Sequence, residues 1–147
     1  MELPASAGEV SKPSQKLDTS SFDFVGKWTI YLAADKVKSG EKSVIDCAYI
    51  AHPSLLSLPN DAEKVKKPLS CACSGFDYAL PRAKAEILRN VLDEKVKKRD
   101  EEHEFVMYET AHHGFAIRGR KDDEEENRQG QQAEDQAVNW FRKWLKA

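Results

Sequence analysis

The stretch VIDCAYIAHP, residues 44–53, decides the fold of this chain. Val44, Ile45, Cys47, Ala48, Tyr49 and Ile50 make a nearly continuous apolar run that ends at Pro53. A strand with one wet face alternates apolar and polar residues. A run apolar at successive positions suits a strand buried on both faces, as in a parallel sheet covered by helices. PLSCAC, residues 68–73, reads as a second and shorter strand, with Pro68 at its start, where a missing N–H does least harm. EFVMY, residues 104–108, is a third.

Working outward, the intervening segments are helical. Trp28, Tyr31 and Leu32 fall on one face of a helix expected from Lys27 to Val37, before Ser39-Gly40 stops it. The polar stretch Ser57 to Lys66 holds a short helix. Residues 82–93 carry Ile87, Leu88, Val91 and Leu92 at helical spacing. After the acidic segment Asp122 to Glu126, a strong closing helix places Ala137, Trp140, Phe141, Trp144 and Leu145 on one face, with Arg142, Lys143 and Lys146 near its C-terminus, where the dipole favours cations. Helices and strands therefore alternate along the chain. That order predicts an α/β fold of about three parallel strands, at about 44–51, 68–73 and 104–109, with helices on both faces. Residues 1–20, rich in Ser, Pro and Lys, read as a disordered lead-in, and residues 21–147 as one domain.

Composition narrows the function classes. The chain has 147 residues, enough for a single domain, and its net charge of -2 gives no reason to expect a nucleic-acid partner. No apolar run approaches the ~20 residues that span a bilayer, and the N-terminus lacks the pattern of a secretory signal. A cytoplasmic protein without a membrane partner is the expectation. Cys47, Cys71 and Cys73 are an odd number, which does not suit a disulfide framework, and two ligands at Cys71-x-Cys73 rarely make a metal site alone. Buried thiols are the expected reading.

Six segments in this order resemble the dienelactone hydrolase family, its fungal members in particular. Gly26-Lys27-Trp28 opens a helix, Ala51-His52-Pro53-Ser54 follows a strand, and Lys67-Pro68-Leu69 opens the next. Gly75-x-Asp77 then follows that strand, His113-Gly114-Phe115-Ala116 with Arg118-Gly119 follows the last strand, and Trp140-Phe141 lies in the final helix. The resemblance implies a partial α/β-hydrolase fold carrying a nucleophile, an acid and a base in that chain order, with no cofactor and no metal. Asp77 matches the acid and His113 the base. Arg118 matches an arginine that would pair a substrate carboxylate. His112 is expected to be an exposed neighbour, and His52 a loop or rim residue.

The nucleophile is where the chain departs from the family. The family's strand-to-helix elbow has the form Gly-x-Cys-x-Gly-Gly-Lys, against which this chain reads Ser21-Phe22-Asp23-Phe24-Val25-Gly26-Lys27. Asp23 stands in the place of the Cys, and Ser21 and Val25 stand where glycines make room for the tight turn. The strands and the oxyanion-hole donor that precede the elbow in the family are expected to be missing. Three readings follow. One is a hydrolase of small-molecule carboxylic esters or lactones. The second is a catalytically inactive truncated remnant or binding module of the same family. The third is a small redox or metal protein built on Cys71 and Cys73. Without a neighbour on its outer side, the strand from Val44 to Ile50 would leave an open edge, and self-association is expected through it.

Overall fold

The computed structural model describes residues 18–22, 26–99 and 102–145. In chain order the elements are β1 (Asp18–Phe22), α1 (Gly26–Ala33), β2 (Lys38–Ser39), β3 (Lys42–Ser43), β4 (Cys47–Ala51) and α2 (Asn60–Glu63). β5 (Leu69–Phe76), α3 (Arg82–Arg99), β6 (His103–His112), α4 (Phe115–Arg118) and α5 (Glu124–Trp144) complete them. The main sheet has the order β1-β4-β5-β6, and every neighbouring pair in it is parallel. β2 and β3 form a minimal antiparallel hairpin. Among the described residues no helix is long and apolar enough to cross a membrane.

The α/β class and the three apolar strands are as expected, and the sheet has a fourth strand that hydrophobic pattern does not flag. β1 has the sequence DTSSF, too polar to read as a buried strand, yet it pairs with β4 from Asp18 opposite Cys47 to Phe22 opposite Ala51. Backbone hydrogen bonds recruit it, and these do not depend on side-chain polarity. Two expectations change as a result. The lead-in of residues 1–20 overlaps β1 from Asp18, and the rest of it, residues 1–17, lies outside the described residues. The outer side of β4 is also not open, because β1 occupies it.

Side chains alternate between two cores. Ala48, Ile50, Leu69, Cys71 and Cys73 point to one face, where Ile30 and Ala33 of α1, Ala62 of α2 and Ala85, Leu88 and Leu92 of α3 close over them. Tyr49, Ala51, Ala72 and Tyr108 point to the other face, against Phe115, Ala133 and Trp140. This period of two on strands covered from both sides explains why they read as unbroken apolar runs.

Two helices turn differently from their sequence pattern. In α1 the buried stripe is Gly26, Thr29, Ile30 and Ala33, while Trp28 and Tyr31 are exposed. Small residues let the helix approach the sheet closely, and the aromatic pair is left outside, edge to face at 6.2 Å. In α3 the buried positions are Ala85, Leu88, Leu92 and Lys95, and Ile87 faces outward. α5 begins where the acidic segment stood. Asp123 accepts a hydrogen bond from the Glu126 N–H at 2.9 Å and so caps the helix, and Glu124, Glu125 and Glu126 occupy its positive first turn.

The β5–β6 pair contains the irregularity that matters for the site. Ser74 pairs with Tyr108 and Phe76 with His112, so β6 spends four residues where β5 spends two. The surplus backbone of β6 arches over Gly75, where a Cβ would lie 2.0 Å from the Glu109 carbonyl oxygen. Only glycine fits under that carbonyl. Gly75→Ala is therefore expected to lower stability by about 3 kcal/mol, the upper end of overpacking costs. Urea unfolding followed by circular dichroism measures it, and a loss below about 0.5 kcal/mol would show that the strands do not approach in this way.

Candidate active site

The shifted register carries two side chains to one place. Asp77 is the first residue beyond β5 and His113 the first beyond β6, and the His113 N–H still donates to the Phe76 carbonyl at 3.2 Å. His113 Nδ1 lies 2.9 Å from both carboxylate oxygens of Asp77. Both side chains are almost fully enclosed, His113 being 4 % and Asp77 1 % exposed.

Asp77 is held by more than the imidazole. The Ser74 hydroxyl donates to its Oδ2 at 2.8 Å, and the N–H groups of Ala79 and Leu80 donate to its Oδ1 at 2.8 and 3.0 Å. These donors satisfy a buried carboxylate, fix its rotamer and fold the chain into the turn that carries Tyr78. A carboxylate on Nδ1 favours the tautomer with the proton there and leaves Nε2 as the basic nitrogen. An imidazole held in this way can serve chemically as a general base with a built-in orienter.

Other rings surround the pair. Tyr78, 85 % exposed, tilts over the His113 ring at 4.8 Å between centroids. On the inner side the His52 ring meets it at 5.1 Å and 68°, and Phe115 lies 6.0 Å beyond His52. His52 thus lies on the loop that leaves β4, as expected, but is fully buried rather than at a rim. Tyr78 has no sequence signal of its own, and His52 has only its place in Ala51-His52-Pro53-Ser54, because what places each against His113 is strand register rather than sequence spacing.

His112 is half-buried, stacks on Phe76 at 5.2 Å, and is bound through Nδ1 to Glu126 Oε2 at 2.8 Å. Buried Glu126 also accepts from the His112 N–H and the Arg120 N–H, each at 3.1 Å, and so ties the start of α5 to the end of β6. Arg118 is exposed at the last position of α4. Asp23 and Val25 lie outside the described residues; Ser21 lies in β1. β1 ends at Phe22 and α1 begins at Gly26, so the expected elbow segment does join a strand to a helix, at the same sheet end as Asp77 and His113. Cys47, Cys71 and Cys73 are buried thiols. Burial, with the charges of neighbouring groups adding to it, pushes the Cys71 and Cys73 thiols upward and so disfavours the thiolate that redox or metal chemistry needs.

The profile of the dienelactone hydrolase family matches residues 26–145 of this chain. The chain belongs to the dienelactone hydrolase family. Its similarity to the hydrolase tropI of Talaromyces stipitatus is 27% identity over 133 residues, covering 90% of this chain and 47% of that protein. A solved structure described as a dienelactone hydrolase from Klebsiella pneumoniae superposes with a TM-score of 0.65 at 18% identity, over 90% of this chain and 54% of that one. The carboxylesterase Cest-2923 of Lactobacillus plantarum gives a TM-score of 0.65 at 10% identity, over 90% of this chain and 61% of that one. These likenesses show the α/β-hydrolase fold, and this member of the family spans about half the length of the curated relative it matches.

Glu126 provides a test of the helix–strand tie. Burial raises its pKa and the hydrogen bonds from His112 and Arg120 lower it, with a net shift below the usual glutamate value. A carboxyl more acidic in the folded state stabilises fully above its unfolded pKa, and that contribution is lost as pH falls through the folded value. Glu126→Gln is thus expected to lower stability by about 1–2 kcal/mol at pH 7. In urea titrations the gap to wild type should close as the solution is taken below the ordinary carboxylate range. A gap unchanged down to pH 3 would refute the assignment.

Proposed function

We propose that this chain carries the acid–base part of a carboxylic-ester or lactone hydrolase site, with His113 as general base and Asp77 as the group that orients it. The observation that supports this reading is the double contact of His113 Nδ1 with the Asp77 carboxylate at 2.9 Å, at the carboxyl ends of adjacent parallel strands. Ligands of open α/β sheets are handled at that end. The residue that would attack the carbonyl is Asp23, on the segment between β1 and α1. Arg118, exposed at the last position of α4, would pair a carboxylate on a small-molecule substrate.

In this reading the Asp23 carboxylate attacks the ester carbonyl and expels the alkoxide, which takes a proton from solvent. His113 Nε2 then takes a proton from the water that hydrolyses the resulting anhydride, and the imidazolium that forms is stabilised by Asp77. His113→Ala should lower kcat/KM for a p-nitrophenyl ester by about 10²-fold or more, and Asp77→Asn, which releases the tautomer, by a similar factor. Turnover equal to wild type in His113→Ala would sink the proposal.

A second reading, a catalytically silent member that binds rather than cleaves, is favoured by Asp23, since a carboxylate replaces the thiol and Ser21 and Val25 replace small neighbours. A folded wild-type chain with no measurable ester turnover favours it over the first. The two readings also differ in how readily the chemistry is repaired. Asp23→Cys alone should not produce rapid hydrolysis, because a cysteine attacks only as a thiolate aimed at its base, and Cβ atoms at 21 and 25 crowd the turn. The triple change Ser21→Gly, Asp23→Cys, Val25→Gly should do slightly better. Fast, His113-dependent turnover in the single variant would show the turn to be intact as it stands.

We propose further that the chain self-associates through β1, which with β6 forms the two edges of the main sheet among the described residues. Light scattering at tens of micromolar should report a mass above that of one chain; a clean monomer rejects the idea.

A further inference from the structure

We propose that His52 is a positioning residue for His113, fixing by ring contact the plane in which the imidazole holds Nε2. The inference rests on the Asp77–His113 reading above and concerns what that pair leaves undetermined. Asp77 grips one atom of the ring, Nδ1, at 2.9 Å. With Cγ bonded to Cβ and Nδ1 gripped by Asp77, the ring can still tip about the line through those two points, and such a tip moves Nε2, which lies off that line. A base must present its lone pair to the reacting proton within hydrogen-bonding reach, so this remaining freedom matters for proton transfer.

Two rings touch His113 and could remove that freedom. Tyr78 is 85 % exposed, and a solvated side chain on a turn is a weak restraint. His52 is 0 % exposed and meets the His113 ring at 5.1 Å and 68°. Its own position is fixed from several sides. Its N–H donates to the Ala72 carbonyl at 2.8 Å, which extends the β4–β5 pairing one residue past Ala51. Its ring is backed by Phe115 at 6.0 Å, and Phe115 by Tyr108 at 5.1 Å. Its φ is +35°, a left-handed conformation uncommon outside glycine that persists only where the surroundings over-determine it.

The following residue supplies a second, independent observation. A Cβ on Gly26, the first residue of α1, would stand 2.9 Å from the Cβ of Pro53, so the start of that helix is packed directly on the residue after His52. His52-Pro53 is thus a wedge with one side on the base and the other on the start of α1. A displacement of His52 would alter the base and the start of that helix together.

The test reads His113 directly and needs no turnover. Nitrogen-15-edited NMR of the histidine rings should show a strongly downfield proton on His113 Nδ1, identified by its disappearance in Asp77→Asn. His52→Ala should speed exchange of that proton with solvent on the order of tenfold or more, because the ring now opens locally, while circular dichroism stays that of the folded chain. His52→Phe, which keeps a ring, should restore slow exchange; His52→Gln, which fills space without one and serves should the alanine variant not fold, should not. Wild-type exchange in a folded His52→Ala or His52→Gln would overturn the proposal, as would fast exchange in a folded His52→Phe. Absence of the downfield proton in wild type would remove the Asp77–His113 pair and this inference with it. Its presence without ester turnover would remove only the catalytic reading.

Discussion

The arrangement of this molecule depends on the passage of β6 over Gly75. Parallel strands in regular register advance together, and continuing the register of Ser74 with Tyr108 would put Asp77 opposite Ala111. The two additional residues of β6 are absorbed in an arch whose Glu109 carbonyl occupies the space of a missing Cβ, and the ladder resumes with Phe76 opposite His112. His113 is thereby delivered to Asp77. A missing side chain in one strand and a bulge in its neighbour, a device common beside functional sites, thus set the distance between two titratable groups 36 residues apart.

Asp77 then organises the space around it. The same carboxylate accepts from Ser74 behind it, from the turn in front of it, and meets the imidazole beside it. Three of its partners lie within three residues of Asp77 along the chain, so its rotamer is determined locally. Only the histidine comes from a distant strand. An enclosed carboxylate with this many donors has its oxygens satisfied in the interior. Glu126 uses the same principle one layer out, where its carboxylate gathers two N–H groups and the His112 ring and fastens α5 to the strand end. Adjacent histidines at the end of β6 are therefore each bound to a carboxylate, one belonging to the site and the other to the scaffold.

The two cores also differ in character. The face under α1, α2 and α3 is mostly apolar, although Thr29 of α1 is buried in it and Lys95 of α3 donates to the Val65 carbonyl at 2.7 Å, and helix α1 with small residues at the contact lies close upon it. The α5 face contains polar groups that are paired across the layer. Gln136 donates to the Ser70 hydroxyl at 2.8 Å and accepts from the Tyr108 hydroxyl at 2.9 Å, and the Tyr49 hydroxyl reaches the Ala133 carbonyl at 2.8 Å. Such pairs specify how α5 sits as well as that it is buried.

The sequence by itself determined the class of the fold, the three apolar strands, the helices between them, the family, and the Asp77 and His113 positions. Each of these is a local signal, whether periodicity, strand-end position or motif. It did not reveal β1, whose polar DTSSF is a strand because a neighbour's backbone offers hydrogen bonds. Nor did it show which face of α1 is buried, since Trp28 and Tyr31 form the more apolar stripe, yet only the small residues allow the close approach the sheet requires. His52, read as a rim residue, and Tyr78, not singled out, are placed against His113 by tertiary structure alone. Their contacts are made across strands and depend on register, which one bulge at Gly75 sets and no local pattern encodes.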